Sequence, residues 1–448
     1  MQKILPIYYS EYGRYITRFR SIPFYIDCLI PVHRRILVEL NKTAKDKFVK
    51  SAKIVGNVIG STHPHGDVSV YGSLVNLVHQ QYAIGQGNWG AQGKEDDGAA
   101  AMRYTETKLS KWVKDLVFEY IDYVPWGEYE HENEPLYLPS PIPVGLIGHG
   151  IYSGIAFHRP LIPKYKLTDL AKRLVGLLEN KMEVIIPNFQ NCQVLEEEKD
   201  QFENILKLGQ GRIVSVPFTE TVKNKLFITG RSPNTNFDKL VEHTSDPDKK
   251  VPVRLIDIGP GIRIQIEPDS KKLDINKLAQ YIWEKYLIKR YNINVITCNE
   301  KGNVVEGGID DILLRNYQCW VYAALNKNSL DLTKLGNKKF EHNIIYIVRD
   351  IIEKYKCQTI DDILTQFSTN YTTTIISQEQ YDINNNTFIN IDKTITPQDI
   401  SDVCSKKSIK ALVQVNLDLN QINIDINNQK QKITNTQTDC FNRLKELL

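Results

Sequence analysis

Arg103 and Tyr104 stand side by side in AAMRYTETKL, residues 100–109, directly after a run of alanines. A phenol, with a pKa of about 10, is a poor nucleophile at neutral pH unless a neighbouring cation or base favours its ionised form. Arg103 supplies a permanent cation whose planar fork suits phosphate oxygens. Attack on a phosphodiester builds negative charge on those oxygens, so an adjacent guanidinium acts where the charge develops. The same pair is also compatible with a tyrosine half-buried at a domain edge and its arginine in solvent. In HPHGD, His63 and His65 flank Pro64 just before a helix start. They could donate to a phosphate, move protons or bind a metal, with no third ligand obvious nearby, or be structural. The glycine-rich GQGNWG (85–90) is no P-loop, because no Lys-Ser/Thr follows it at the required spacing. Asp246 and Asp248 form an isolated DxD that reads as an exposed loop.

The elements around these residues follow from periodicity. Ala52, Val55 and Ile59 predict a short helix, which GSTHPHG breaks. Asp67 is the expected N-cap of a second helix carrying Val70, Leu74, Leu77 and Val78 on its apolar side. Helix, short turn, helix is the outline of a helix-turn-helix. Further on, VPVRLIDI and the alternating Ile262, Ile264 and Ile266 predict a hairpin, after which Asp274 caps a helix with Ile275, Leu278 and Ile282 on one side. A helix is expected near 309–325, then a small helical region over about 340–408 in which Asn384–Asn386 form a loop. Leu412, Val415, Leu419, Ile422, Ile426, Ile433 and Cys440 make a heptad seam, interrupted by Gln429 and Thr436.

At 448 residues the chain is long enough for two or three domains, and no apolar run reaches bilayer length. The N-terminus, broken by Arg14 and Arg18, is not a signal peptide, so an intracellular chain is expected. The seven cysteines are odd in number, dispersed and without CxxC, which predicts reduced thiols rather than disulfides or zinc. Net charge is only +3, but residues 1–60 carry eleven Lys/Arg against four Asp/Glu, and 114–135 are acidic. The basic region is either a phosphate-binding surface or a solvated charged face.

Taken together, PVHRR (31–35), SAKIVGNVIG (51–60), HPHGD (63–67), GQGNWG (85–90), AAAMRYTE (99–106) and IPVGLIGHGIYSGIA (142–156) resemble, in order and spacing, the breakage-reunion subunit of type IIA DNA topoisomerases. That family includes the gyrase A subunit, topoisomerase IV ParC, the C-terminal half of eukaryotic topoisomerase II and the smaller subunits of large tailed phages. The match covers residues 8–160, with weaker similarity through LKLGQGRI (206–213). The resemblance implies a multidomain α+β fold. Its parts would be a winged-helix DNA-gate domain over 1–157, an α/β tower domain over 158–304, and over 305–448 an antiparallel coiled coil with a small helical dimerisation domain. It implies that Tyr104 forms a 5′-phosphotyrosyl link, that Arg103 binds the scissile phosphate, and that His65 and Arg20 assist there. His33, Arg34, Arg35 and Lys53 would contact the DNA backbone beside His63, and Ile155 would wedge between base pairs. It further implies a homodimer on double-stranded DNA, in the cytoplasm and on the nucleoid, with no membrane contact. Neither a gyrase B-type ATP-binding pattern nor an acidic Toprim cluster occurs, so Mg²⁺ and ATP are expected on a separate ATPase/Toprim subunit. With no β-pinwheel motif following the coil, relaxation and decatenation are expected rather than wrapping-dependent supercoiling. Two rivals are a tyrosine relaxase, whose histidines lie on a strand rather than before a helix, and a dimeric DNA clamp that has lost cleavage.

The family's DVRDGLKP is FYIDCLIP here, so Ile26, Cys28 and Ile30 replace an arginine, a glycine and a lysine. The family's GDSAVYD is GDVSVYG, which puts Val68 and Gly72 where a serine and an acidic residue hold quinolones through a hydrated metal. Weak quinolone sensitivity is the expected outcome when drug-stabilised DNA cleavage is titrated beside an ordinary gyrase. Equal potency on the two enzymes would contradict it.

Overall fold

Pro31 opens the helix Pro31–Thr43, where its missing N–H is one the first turn leaves unbonded in any case. The computed structural model describes residues 5–16, 20, 22–90, 98–129, 132–154, 159–190, 192–195, 199–230, 232–233, 238–245, 251–257, 263–270, 272–371, 374–406, 408–414 and 419–448. These form two compact units, Met1–Trp320 with Arg443–Leu448, and Val321–Asn442. The architecture is mixed α/β and multidomain.

In the first unit, the helices Pro31–Thr43, Ser51–Ser61 and Asp67–His79 bury one core of Ile36, Leu37, Leu40, Ile54, Val58 and Leu74. A three-stranded antiparallel sheet closes it, with Glu106–Leu109 between Val49–Lys50 and Ala83–Gln86. The helix, turn, helix order read from the sequence is present. Its cap is not: Gly66 holds the N-cap position and Asp67 is the first helical residue, making no capping hydrogen bond. Asp67 still lies in the first turn, where a carboxylate favours the helix dipole.

A larger sheet is organised by the 13-residue strand Gln210–Val222. One end of that strand pairs with Lys289–Asn294 and the other with Lys225–Thr229. The hairpin expected downstream forms between Val253–Asp257 and Arg263–Pro268, with Leu255 opposite Ile266. Ile262, one of its expected strand residues, lies outside the described residues. Asp274 caps Ile275–Ile282 by accepting from the Asn276 N–H at 2.9 Å. Fully buried Arg173 ties this region together, donating to both Asp310 oxygens at 2.9 and 2.7 Å and to the Glu183 carbonyl at 2.8 Å. Removing one partner of such a pair would leave an uncompensated buried charge.

The second unit departs from expectation in two places. The helix that begins at Ile309 does not stop near 325 but runs 47 residues to Tyr355. The region expected to be helical contains a hairpin, Ile375–Asp382 against Thr387–Thr394. The sequence IISQEQYD and TFINIDKT carries β-branched and aromatic residues rather than helix formers. Asp382 accepts from the Asn384 and Asn385 N–H groups and holds the turn, so Asn384–Asn386 are its loop. Seam residues Ile422, Ile426, Ile433 and Cys440 are buried on the helix Leu419–Lys445, and Val415 lies outside the described residues. Gln429 and Thr436 are buried with them because both meet Asn328: Gln429 donates to its carbonyl at 3.0 Å, and the Asn328 amide donates to the Thr436 hydroxyl at 2.9 Å. Polar groups satisfied inside an apolar seam fix its register. All seven cysteines are free thiols, six of them buried.

Candidate functional site

Tyr104 is 63% exposed at the end of a tight turn in which its N–H bonds the Ala101 carbonyl at 2.9 Å. The Arg103 guanidinium lies 4.6 Å from the centre of the Tyr104 ring, so cation and phenol share one surface. Next along the chain, Thr105 is fully buried. Its hydroxyl donates to Ser51 Oγ at 2.8 Å and lies 2.9 Å from the Tyr71 hydroxyl, which in turn donates to the Ala100 carbonyl at 2.6 Å. Both ends of the turn are therefore pinned to the two helices that flank HPHGD. Beneath it, Gly87 has φ +102° and a Cβ there would stand 3.3 Å from the Tyr104 carbonyl oxygen, so glycine suits this position on both counts. Ser51, Tyr71 and Thr105 hold the turn, although none of the three stands out in the sequence as a reactive group. Tyr71 was legible as the tyrosine of GDVSVYG.

A second group lies beyond the other end of the Ser51–Ser61 helix. His63 and His65 stack, ring centres 4.1 Å apart and planes 20° apart. Buried Arg35 grips Glu134 with two bonds of 2.6 and 2.8 Å and meets His63 Nδ1 at 2.7 Å. A guanidinium only donates, so Nδ1 is the acceptor and Nε2 carries the hydrogen. Burial, with Arg35, His65 and Arg20 adding positive charge or its prospect, pushes the His63 pKa down to about 3. His63 is thus a neutral donor at physiological pH, and exposed Arg20 is near enough to be felt by it. The 11-residue helix from Ser51, bonded to Thr105, to Ser61, just before His63, spans about 16 Å.

Two of the residues expected to contact the DNA backbone are buried against carboxylates. Arg34 is 5% exposed and Arg35 3%. Arg34 donates to both oxygens of Asp27, at 2.8 and 2.9 Å, and Asp27 also accepts from the Leu29 and Leu138 N–H groups. Both arginines are engaged inward by carboxylates, and in this structure their forks brace the scaffold. His33 is half-buried, and burial together with Lys164 lowers its pKa to about 3, so it is a neutral ring and not a cation. Lys53 is exposed on its helix as expected, and Ile155 lies outside the described residues. Cys28, in the family's glycine position, has φ +55°, a conformation that costs a side chain about 1–2 kcal/mol. Asp27 holds that turn in place. Val68 (81% exposed) and Gly72 both face outward from the Asp67–His79 helix.

Among the described residues, no group of three or more His, Cys, Asp or Glu could hold a metal ion. The carboxylate nearest in sequence to Tyr104, Glu106, is paired with Lys50 at 2.8 Å. Among the described residues, those around Tyr104 do not themselves make a divalent-cation site. Among the described residues no helix is long and apolar enough to cross a membrane.

The model of the family described as the A subunit of DNA gyrase/topoisomerase IV matches residues 20–446. The chain is similar to the DNA gyrase A subunit of Clostridium acetobutylicum, 33% identical over 310 residues, which is 61% of this chain and 36% of that protein. To the DNA gyrase A subunit of Campylobacter jejuni it is 37% identical over 266 residues, 53% of this chain and 30% of that one. To the DNA topoisomerase 4 A subunit of Haemophilus influenzae it is 31% identical over 319 residues, 64% and 42%. The matched stretch spans about a third of the length of these gyrase proteins.

The depressed His63 pKa has a consequence for stability. An unfolded histidine, at about 6.5, takes up a proton in acid that folded His63 refuses, so the unfolding free energy falls as pH drops from about 6.5 toward 3. Between pH 8 and pH 5 the wild type should lose about 2 kcal/mol more than His63→Gln in urea unfolding. Parallel pH profiles would contradict the neutral assignment.

Proposed function

This chain belongs to the family of DNA gyrase and topoisomerase IV A subunits, and we propose that it is the DNA-cleaving subunit of a type IIA topoisomerase. One observation carries the reading: an exposed tyrosine, beside its own arginine, on a turn pinned at both ends by hydrogen-bonded hydroxyls. The Tyr104 oxygen attacks a backbone phosphorus and loses its proton. The bond from phosphorus to the 3′ oxygen breaks, and that oxygen leaves as a 3′-hydroxyl. The 5′ side stays on the tyrosine. One phosphodiester is exchanged for another, so the reverse attack reseals the strand without an external energy source. Arg103 steadies the charge on the phosphate oxygens.

His65 and Arg20 assist at the reacting phosphate, with neutral His63 as a hydrogen-bond donor beside them. Lys53 and the half-buried His33 meet the DNA, and Ile155 wedges between base pairs. The pair of helices before a three-stranded sheet supports a winged-helix DNA gate over 1–157, the large sheet a tower over 158–304, and the Asn328-locked seam an antiparallel coiled coil over 305–448. Within one chain the Tyr104 turn is bonded to both helices that flank HPHGD, through Ser51 and Tyr71. A double-strand break needs two tyrosines, so the working form is a homodimer, in which Tyr104 of one chain and the histidines of the other share each site. Mg²⁺ and ATP belong to a separate ATPase/Toprim protein, and the Mg²⁺ would counter phosphate charge when bound there. The complex relaxes or decatenates duplex DNA in the cytoplasm, on the nucleoid.

The test is a covalent trap. Tagged chain is expressed with its native partner, the reaction is stopped with detergent, and DNA fragments attached to the chain are counted for wild type and Tyr104→Phe. The wild type should carry linked DNA and the variant about a hundredfold less or none. Linkage unchanged in the variant would overturn the assignment of Tyr104, and duplex binding with no linkage in either would favour the cleavage-dead clamp.

A further inference from the structure

A cavity of about 530 Å³ opens beside the helix Asp67–His79, and Lys164 and Arg20 both line it. Lys164 is 9% exposed, and its ammonium has a single bond, to the Tyr82 hydroxyl at 3.4 Å. Among the described residues it has no ion pair. The groups around it do not supply a negative charge. Asp27 has both oxygens taken by Arg34 and two backbone N–H groups. Burial raises the pKa of the Cys28 thiol and of the Tyr82 phenol, so both are neutral. His33 and His149, on the cavity wall, are held neutral by burial as well. A buried ammonium with no counter-charge is costly, and burial alone brings Lys164 down to about 8.

We infer that this cavity is a binding site for a phosphate group, with the Lys164 ammonium as its buried counter-charge and the Arg20 guanidinium as its second cation. The remaining wall suits that ligand. Ser69 and Asn76 bring a hydroxyl and an amide from one helix, about two turns apart, and among the described residues no carboxylate lines the cavity. A point charge and a planar fork together match the several oxygens of a phosphate better than the two of a carboxylate. The volume lies within the range of small-molecule sites and holds a phosphomonoester the size of a nucleotide. The phosphate can come from a free phosphomonoester or from the backbone of bound DNA. The second source rests on the proposed function, and the first does not.

Pyridoxal 5′-phosphate is a suitable probe, because its aldehyde condenses with a neutral lysine amine, releasing water, and borohydride reduces the imine to a stable adduct. With the full wild-type chain, peptide mapping should find the adduct on Lys164. Pyridoxal without its phosphate should label that residue about tenfold less, and millimolar inorganic phosphate should slow labelling about tenfold relative to chloride at equal ionic strength. Thermal melts give a second readout: phosphate should raise the Tm of wild type and leave Lys164→Met unmoved. A short duplex that protects Lys164 as phosphate does would identify the backbone as the source. Protection by phosphate with none from a duplex that demonstrably binds the chain would identify a free phosphomonoester. Labelling at Lys164 that is indifferent to both the probe's phosphate and added phosphate would overturn the inference, leaving only an accessible amine. No labelling at Lys164, with no phosphate-dependent change in Tm, would overturn it as well.

Discussion

The hydroxyl of Thr105, buried between Ser51 and Tyr71, sets what the rest of the site can do. Tyr104 is next to it in the chain and mostly in solvent, so its position is governed by its neighbour rather than by packing of its own ring. A reactive side chain must be exposed to reach a duplex and fixed to attack it. Here the two demands fall on adjacent residues. The helices that supply Ser51 and Tyr71 are joined by HPHGD, so one scaffold positions both the tyrosine and the histidines. In the proposed homodimer each site draws on both chains, and the coiled coil proposed for 305–448 is a means of holding them together.

Buried charge shapes the remainder. Asp27 draws Arg34 inward, Glu134 draws Arg35, and Arg35 in turn fixes the tautomer of His63. The electropositive stretch of PVHRR is thereby converted from a surface into a frame. Arg173 plays the same part between its own helix and the start of the Ile309–Tyr355 helix, through Asp310. Lys164 is the exception. Its charge has no carboxylate among the described residues, and it faces a cavity.

Much of this was legible in the sequence. Apolar periodicity located the helices on either side of HPHGD, alternation located the strand through Ile264 and Ile266, and Asp274 marked its helix start. The Arg103–Tyr104 pair stood out through motif order. What failed did so for identifiable reasons. Arg34 and Arg35 look alike from composition whether they face a phosphate or a carboxylate, and Glu134 lies 99 residues away from Arg35. Asp67 lost the cap position to Gly66 by one residue, a difference within the usual uncertainty of helix ends. The Ile309–Tyr355 helix outran its first apolar stripe because polar residues continue it where a second helix covers one side. The 375–394 hairpin was hidden by its position between helices, although its β-branched residues and Asp-Ile-Asn-Asn-Asn turn were in view. Ser51, Tyr71 and Thr105 carry ordinary hydroxyls, and only their convergence makes them a support.

The central claim, that each cleavage site takes Tyr104 from one chain and the histidines from the other, is tested by mixed dimers. Differently tagged Tyr104→Phe and His65→Ala chains are co-expressed, and the dimer carrying both tags is given duplex DNA and its ATPase/Toprim partner. If the site is shared, both lesions fall in one site and the other is intact. DNA should then be nicked in one strand and linked to the His65→Ala chain at close to the wild-type rate per site. If each site lies within one chain, both sites are damaged, and linkage no higher than that of His65→Ala homodimers would contradict the account.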